Sequence, residues 1–332
     1  MEEDEVFEGG QIEGTSTNSQ PISWGLDLID GSSDGRYQRP CNLTGNGVDV
    51  YIVDSGIRYS HETFGGRVVY PGCDIQDEMN NESQRGADCS GGHGTPVASI
   101  AGGARHGVAP GVTLFPIRVL NCGRNGSLTA IVRGLECMLE HHATRNGRPA
   151  IVNLSLFGRK NKLMKRAVDK IIEGGVSVVA LSGNIEQVRN TAMWLTRDAC
   201  RVSPGSIRGV ITVAATKLQG FSSHAYEYTK VGTCVDVFAP GRNVKAAFSA
   251  PSCDECEFPM SGSSFAAPHV TGAIALLLEK CPNLPPWRIK HLLLTKMAVA
   301  NYLNMKSIRR RYRSTTPNLF LQLNSRMCDI EC

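Results

Sequence analysis

Short apolar runs rich in strand-forming residues alternate with helical patterns along most of this chain. The runs cover residues 48–54, 112–119, 150–156, 176–181, 209–215 and 234–238. Apolar residues recur at helical spacing in segments 93–101, 128–139, 161–172, 265–278 and 286–297. A strand that returns parallel to its neighbour needs a long crossover, usually a helix. The alternation therefore predicts a mostly parallel sheet with helices on both faces, a three-layer α/β fold.

The composition limits the classes of partner. Hydrophobic residues make up 41% of the 332 residues and charged residues 20%, which is ordinary for a globular protein. The formal net charge of +4 is too small to indicate nucleic-acid binding. No uninterrupted apolar run is long enough to cross a bilayer. We expect a monomer with no nucleic-acid partner and no membrane span.

The twelve cysteines point to an oxidising compartment. They are mostly scattered and lack the paired spacing of a zinc site. Glycosylation sequons begin at Asn42, Asn81 and Asn125, while a fourth at Asn153 lies on a predicted buried strand and is expected to stay unused. We therefore expect a secreted protein or one of the secretory pathway. The chain opens with Met1 and acidic residues instead of a signal peptide, so we expect its natural start to lie upstream.

Four polar side chains fall where predicted elements begin or end. Asp54 and Asn184 follow predicted strands, and His93 and Ser264 open predicted helices. Functional groups in open α/β sheets gather at the carboxyl ends of the strands. The four side chains are therefore expected to share one edge of the sheet.

These residue types together suit acyl transfer. Ser264 would attack a carbonyl carbon, and His93 would take its proton and pass it to the leaving amine. Asp54 would orient His93 and stabilise its cation. Asn184 would donate a side-chain N–H to the oxyanion, together with the backbone N–H of Ser264.

Each residue also has an ordinary structural interpretation. Asp54 fits an Asx-turn, His93 a surface loop, and Asn184 the cap of a strand. Ser264 fits the N-cap of a core helix, where serine is common. The order Asp, His, Ser, each within an extended motif, favours the catalytic interpretation.

The motifs resemble the four signature blocks of the subtilisin-like serine peptidases. They read Ile52-Val-Asp-Ser-Gly-Ile57, His93-Gly-Thr95, Ser182-Gly-Asn184 and Gly262-Ser-Ser-Phe-Ala-Ala-Pro-His269. The chain order Asp, His, Ser is that of subtilisin. The resemblance covers residues 21–325 and implies the subtilisin-like form of the α/β fold.

Within that family the chain is similar to the proteinase K branch, and its cysteines are most similar to those of the type 9 proprotein convertases. This resemblance implies the disulfides Cys89–Cys122, Cys200–Cys234 and Cys253–Cys256. It leaves open the partners of six further cysteines, which are Cys41, Cys73, Cys137, Cys281, Cys328 and Cys332.

The resemblance also implies an inhibitory prodomain as a partner, cut just before the motif around Trp24. Residues 2–7 look like its acidic end. We divide the chain into a largely unstructured prodomain remnant at 1–20, a peptidase domain at 21–325 and a C-terminal tail at 326–332. The cut is expected between Phe7 and Trp24. The Gln20–Pro21 bond aligns with the usual position, but proline after the scissile bond makes a poor substrate.

The resemblance further implies which residues bind a substrate chain. They are Gly126, Ser127, Leu128, Leu154, Ser155, Leu156, Phe157, Gly158, Ser182 and Gly183. Phe157 stands where the family has glycine, so its ring is expected to narrow the cleft. The pocket walls hold no acidic residue, which predicts a preference for apolar or uncharged side chains.

Lys217 departs from the family at a position where proteinase K relatives have a calcium-binding aspartate. An ammonium group cannot coordinate a cation, so we expect no calcium at Lys217. We expect no required cofactor, and a structural calcium elsewhere stays open.

Two hypotheses about function follow. The first is a secreted serine endopeptidase that hydrolyses peptide bonds of proteins or peptides through an acyl-enzyme. The alternative is a convertase-like binding protein that cleaves only its own prodomain and then acts by binding a partner protein. Both need the same catalytic residues, so the motifs do not separate them.

Overall fold

The computed structural model describes residues 6–9, 23–73, 75, 85–185, 196–220 and 222–332, and of 6–9 only the backbone. In chain order the strands are β1 Val6–Gly9, β2 Asp49–Asp54, β3 Thr113–Arg118, β4 Asn125–Ser127, β5 Ala150–Leu154, β6 Leu156–Arg159, β7 Ser177–Leu181, β8 Val202–Ser203, β9 Ile211–Gln219, β10 Ser222–Ala225, β11 Val237–Pro240, β12 Val244–Ala247, β13 Glu257–Met260, β14 Ala298–Ala300 and β15 Leu319–Leu321. The α-helices are α1 Trp24–Ile29, α2 Gly94–Gly102, α3 Leu128–Ala143, α4 Lys162–Glu173, α5 Ser263–Lys280, α6 Pro286–Lys296 and α7 Arg310–Arg313.

The central sheet has the strand order β14-β15-β11-β9-β7-β5-β2-β3, and β10 pairs with β9. All neighbours in that order are parallel except β14 and β15. The six strands that the apolar runs predict all lie in this sheet. Their bounds differ from the predicted ones by a few residues.

Alternate residues of the buried strands pack in two separate hydrophobic cores. Val50 and Ile52 of β2 pack in one core, with residues of α2 and α5. Tyr51 and Val53 pack in the other, with residues of α3 and α4. Successive side chains of a strand point to opposite faces, so helices cover both faces of the sheet. The predicted three-layer α/β fold is confirmed.

A smaller sheet lies beside the carboxyl edge of the central one, in the order β4-β1-β6-β8. The sequence predicts one strand over 150–156, but the structure divides it after Leu154. The continuation, β6, leaves the central sheet and pairs with β1 and β8. The division falls at Ser155, whose hydroxyl donates to the backbone carbonyl of Ser264 over 2.7 Å.

Six disulfides join all twelve cysteines. Three are the pairs that the resemblance implies. The others are Cys41–Cys328, Cys73–Cys137 and Cys281–Cys332. Two of them anchor the segment predicted as a C-terminal tail, in which Met327 and Ile330 are buried. Within the described ranges, no helix has the length and apolar character needed to cross a membrane.

Candidate active site

The Asp54 and His93 side chains form a buried pair. Asp54 is the last residue of β2, and His93 directly precedes α2. The Nδ1 atom of His93 lies 2.9 Å from both carboxylate oxygens of Asp54, and neither side chain is exposed to solvent. A carboxylate only accepts hydrogen bonds, so Nδ1 carries a proton. In the neutral ring this leaves the Nε2 lone pair for another proton.

The other side of the His93 ring faces the start of α5. Its ring centre lies 5.3 Å from that of Phe265, the residue after Ser264. The Nε2 atom is buried and has no hydrogen-bonding partner among the described residues. The imidazole therefore presents an unused acceptor beside the helix turn that carries Ser264.

Ser264 is the second residue of α5 and is fully buried. The turn before it depends on Gly262, whose φ of 142° is accessible to glycine but strained for other residues. The first N–H groups of a helix have no partner within it and favour negative charge. The hydroxyl of Ser264 thus lies where an oxyanion would be stabilised.

The Asn184 side chain is fixed against the same turn. Its Oδ1 accepts hydrogen bonds from the backbone N–H and the hydroxyl of Ser263, each over 2.9 Å. A Cβ atom on Gly262 would lie 3.2 Å from Nδ2, so glycine leaves room for the amide. With Oδ1 engaged, the Nδ2 group is the donor available beside Ser264.

A positioning network that the motifs did not predict lies behind His93. The hydroxyl of Ser55 accepts from the backbone N–H groups of His93 and Gly94, over 2.9 and 3.0 Å. It donates to Oδ1 of Asp88 over 2.7 Å. The other oxygen of Asp88 accepts from the backbone N–H and hydroxyl of Thr95, over 2.8 and 2.5 Å. Asp88 therefore ties the start of α2 to the loop after β2.

Burial raises the pKa of Asp88 to about 6, although its hydrogen bonds from Thr95 and Ser55 act in the opposite direction. The nearby Gly92 is required by space, because a Cβ atom there would lie 1.8 Å from Oδ1 of Asp88. Asp88 lies five positions before His93, and nothing in the local sequence distinguishes it from a surface aspartate.

Strand β1 lies in the cleft that the sequence assigns to a substrate chain. It is antiparallel to β4 on one side, with Phe7 opposite Gly126, and to β6 on the other, with Glu8 opposite Phe157 and Gly9 opposite Leu156. The interpretation of residues 1–20 as largely unstructured did not anticipate this strand. The Gln20–Pro21 bond lies outside the described residues.

The predicted substrate-binding residues occupy three environments. Gly126 and Ser127 of β4, and Leu156, Phe157 and Gly158 of β6, belong to the strands that flank β1. Ser155, Ser182 and Gly183 lie next to β6 and to Asn184 in the chain. The side chains of Leu128 and Leu154 are buried in the core between the sheet and helices α3 and α4.

The position of Lys217 carries an ion pair. Its ammonium lies 2.9 Å from Oε2 of Glu227, and Arg242 lies 3.1 Å from Oε1 of the same carboxylate. The positive charge of Lys217 does not fit a cation site. Across the described ranges, no group of three or more histidine, cysteine or acidic side chains is arranged to hold a metal ion.

The model of the subtilase family, peptidase family S8, matches residues 45–316. The chain therefore belongs to the subtilase family of serine peptidases. Among solved structures, a cold-adapted subtilisin-like serine proteinase superposes with a TM-score of 0.76 at 32% identity, covering 92% of this chain and 99% of that one.

Several curated relatives are longer than this chain. An extracellular serine proteinase of Thermus sp. (strain Rt41A) is 38% identical over 82% of this chain and 61% of its own length. Alkaline serine exoprotease A of Vibrio alginolyticus is 31% identical over 100% of this chain and 56% of its own length. Proprotein convertase subtilisin/kexin type 9 of Rattus norvegicus is 32% identical over 90% of this chain and 42% of its own length. The chain spans less than two thirds of each of these relatives.

Proposed function

We propose that this protein is a serine endopeptidase that cleaves peptide bonds through an acyl-enzyme on Ser264. The observation that carries the proposal is the buried pair of His93 Nδ1 and the Asp54 carboxylate, 2.9 Å apart. A base held in one tautomer next to a helix-terminal serine is the arrangement that activates a hydroxyl.

The reaction begins when Nε2 of His93 takes the hydroxyl proton of Ser264. The serine oxygen attacks the substrate carbonyl carbon, and the carbonyl oxygen becomes an oxyanion. The Nδ2 group of Asn184 and the backbone N–H of Ser264 stabilise that charge. His93 then gives its proton to the leaving amine, the C–N bond breaks, and water hydrolyses the ester by the same steps.

A second candidate is a binding protein whose catalytic residues serve only to release its own N-terminal segment. The observation in its favour is strand β1, which pairs with both substrate-flanking strands of the same chain. A segment that stays paired after cleavage would exclude other substrates. The inhibitory prodomain is the partner that this candidate implies.

One comparison separates the two candidates. The full chain and its Ser264→Ala variant are incubated with an unfolded protein substrate, and their own N-termini are determined by mass spectrometry. The endopeptidase proposal predicts Ser264-dependent fragments of the added substrate. Ser264-dependent cleavage of the chain itself, without such fragments, selects the binding protein. Equal results for parent and variant refute both.

The environment and partners of the enzyme belong to the same proposal. Six disulfides favour a secreted protein, because such bonds persist in oxidising compartments. We infer that it works as a monomer on protein or peptide substrates and needs no cofactor.

A further inference from the structure

A charged side chain, Lys230, is buried beside the oxyanion donor. Its exposed fraction is 0%, and it is among the largest fully buried side chains of the described residues. Its backbone N–H donates to the carbonyl of Gly183 over 2.8 Å. Gly183 directly precedes Asn184, so Lys230 borders the wall of the cleft next to the catalytic centre.

The Lys230 side chain crosses the open face of Gly183 towards the opposite wall. A Cβ atom on Gly183 would lie 2.8 Å from Cδ and 3.0 Å from Cε of Lys230, and 3.4 Å from Cδ2 of Phe157. Phe157 belongs to the other wall, strand β6, and its exposed fraction is 0%. The two side chains therefore fill the space between the walls.

The ammonium group is held in place at the far end of this space. It donates to the backbone carbonyl of Thr196 over 2.6 Å and lies 5.7 Å from the centre of the Phe157 ring. A cation over an aromatic face is attracted by the ring, more strongly when both are desolvated. Moving Lys230 aside would break this charge-assisted hydrogen bond and leave part of the space between the walls unfilled.

The position of this filled space decides which substrate residue it meets. When the attacked carbonyl of the substrate accepts a hydrogen bond from Asn184, the α-carbon of the same substrate residue lies beside Gly183 and the start of β6. Ser155, which donates to the carbonyl of Ser264, precedes β6 directly. The filled space is thus the pocket for the residue whose carbonyl is attacked.

We propose that Lys230 and Phe157 occupy this pocket and restrict cleavage to bonds that follow glycine. This inference rests on the proposed peptidase function and names its substrate class. A substrate side chain larger than a hydrogen atom would clash with Lys230 and Phe157, because these two side chains fill the space between the cleft walls.

The chain's own cleft segment matches this restriction. Strand β1 ends at Gly9, opposite Leu156, and the next residue in the sequence is Gly10. The same selectivity therefore places the chain's own scissile bond in the sequence Gly9-Gly10-Gln11 and away from Gln20–Pro21.

The test uses two peptidyl phosphonate inhibitors that differ only in carrying glycine or leucine before the phosphorus atom. The full chain should react with the glycine compound at least about 10-fold faster, because a single methylene group is already worth roughly 10- to 200-fold in discrimination. A ratio of one or less overturns the inference. A small fluorophosphonate serves as control: if it does not modify Ser264 either, the proposed peptidase function fails instead.

Two variants distinguish the effect of side-chain volume in the pocket from the effect of the charge on Lys230. Phe157→Gly with Lys230→Ala empties the pocket and should shift the glycine-to-leucine ratio towards leucine. Lys230→Met keeps most of the volume without the charge and should retain the preference for glycine. Fluorophosphonate labelling verifies that each variant is folded. If a variant is not folded, the ratio of the glycine to the leucine reaction rate in the unmodified chain decides whether the proposal holds. An unchanged ratio in the emptied, labelled variant contradicts the proposal.

Discussion

At the scale of single residues, the fixed amide of Asn184 connects the turn before α5 to the proposed chemistry. The hydrogen bonds from Ser263 hold Oδ1, so that Nδ2 remains as a donor. The motif that ends at Asn184 predicts that this residue is the side-chain donor to the oxyanion. It did not predict that Ser263 orients the amide, because that contact joins residues 79 positions apart.

Replacing Asn184 with alanine tests the oxyanion role. We expect kcat to fall by about 10² to 10³ with little change in KM, as for the corresponding donor of subtilisin, because the bond forms with the oxyanion and not with the bound substrate. Ser263→Ala is the control, since the backbone N–H of residue 263 still holds the amide. Steady-state kinetics on one peptide measure both. An equal loss in the two variants, or a rise in KM alone, would argue against this role.

His269 gives stability a dependence on pH. Burial lowers its pKa to about 4, and its Nδ1 lies 2.8 Å from the carbonyl oxygen of Phe265. The unfolded chain has the ordinary histidine pKa near 6.5 and binds the proton first as pH falls. The contribution of His269 is therefore fully present above about pH 6.5 and is lost as pH falls towards 4.

The matching measurement is urea unfolding of the parent and His269→Gln at pH 7 and pH 5. The parent should lose about 2 kcal/mol more of its free energy of unfolding between these values than the variant does. Equal losses would show that His269 does not titrate with a lowered pKa.

At the scale of elements, apolar periodicity predicts the central strands and the long helices. At the start of α4, the side chain of Asn161 accepts hydrogen bonds from the backbone N–H groups of Leu163 and Met164, as is typical of a helix N-cap. The short strands β12 to β15 and the division between β5 and β6 were not predicted. Strands of two to four residues carry too little periodicity, and their pairing depends on distant segments.

The pairing of β1 predicts that this strand blocks the cleft. Glu8 pairs with both Asn125 and Phe157, and proline at this position removes an N–H and fixes φ in a strand that is paired on both sides. We expect Glu8→Pro to speed the hydrolysis of an added peptide. Glu13→Pro, outside the strand, is the control and should leave the rate as in the parent. Equal rates for all three proteins would show that β1 does not restrict access.

At the scale of the whole molecule, the family resemblance implied three of the six disulfides and left the pairing of the other six cysteines open. Cys41 and Cys328 are separated by 287 positions, so only the fold brings them together. The pair ties the C-terminal segment to the loop before β2. The buried Asp88 and Lys230 escaped prediction for the same reason, because their environments are built by distant parts of the chain.

The ion pair of Lys217 with Glu227 predicts that stability does not depend on calcium at this position. Lys217→Asp is the informative variant, because it replaces the ammonium with a cation ligand next to Glu227. The difference between the thermal midpoints in millimolar calcium and in a chelator should be larger for Lys217→Asp than for the parent, and the same for the parent and Lys217→Ala. A calcium-dependent midpoint in the parent that is lost in Lys217→Ala would contradict the prediction.

The central claim is that Asp54 and His93 activate Ser264 for attack. It is tested most directly by exposing the full chain to a fluorophosphonate and locating the adduct by peptide mapping. We expect an adduct on Ser264 in the parent, none at residue 264 in Ser264→Ala, and far slower labelling in His93→Ala. An adduct on another residue, or equal labelling rates in the parent and His93→Ala, would contradict it.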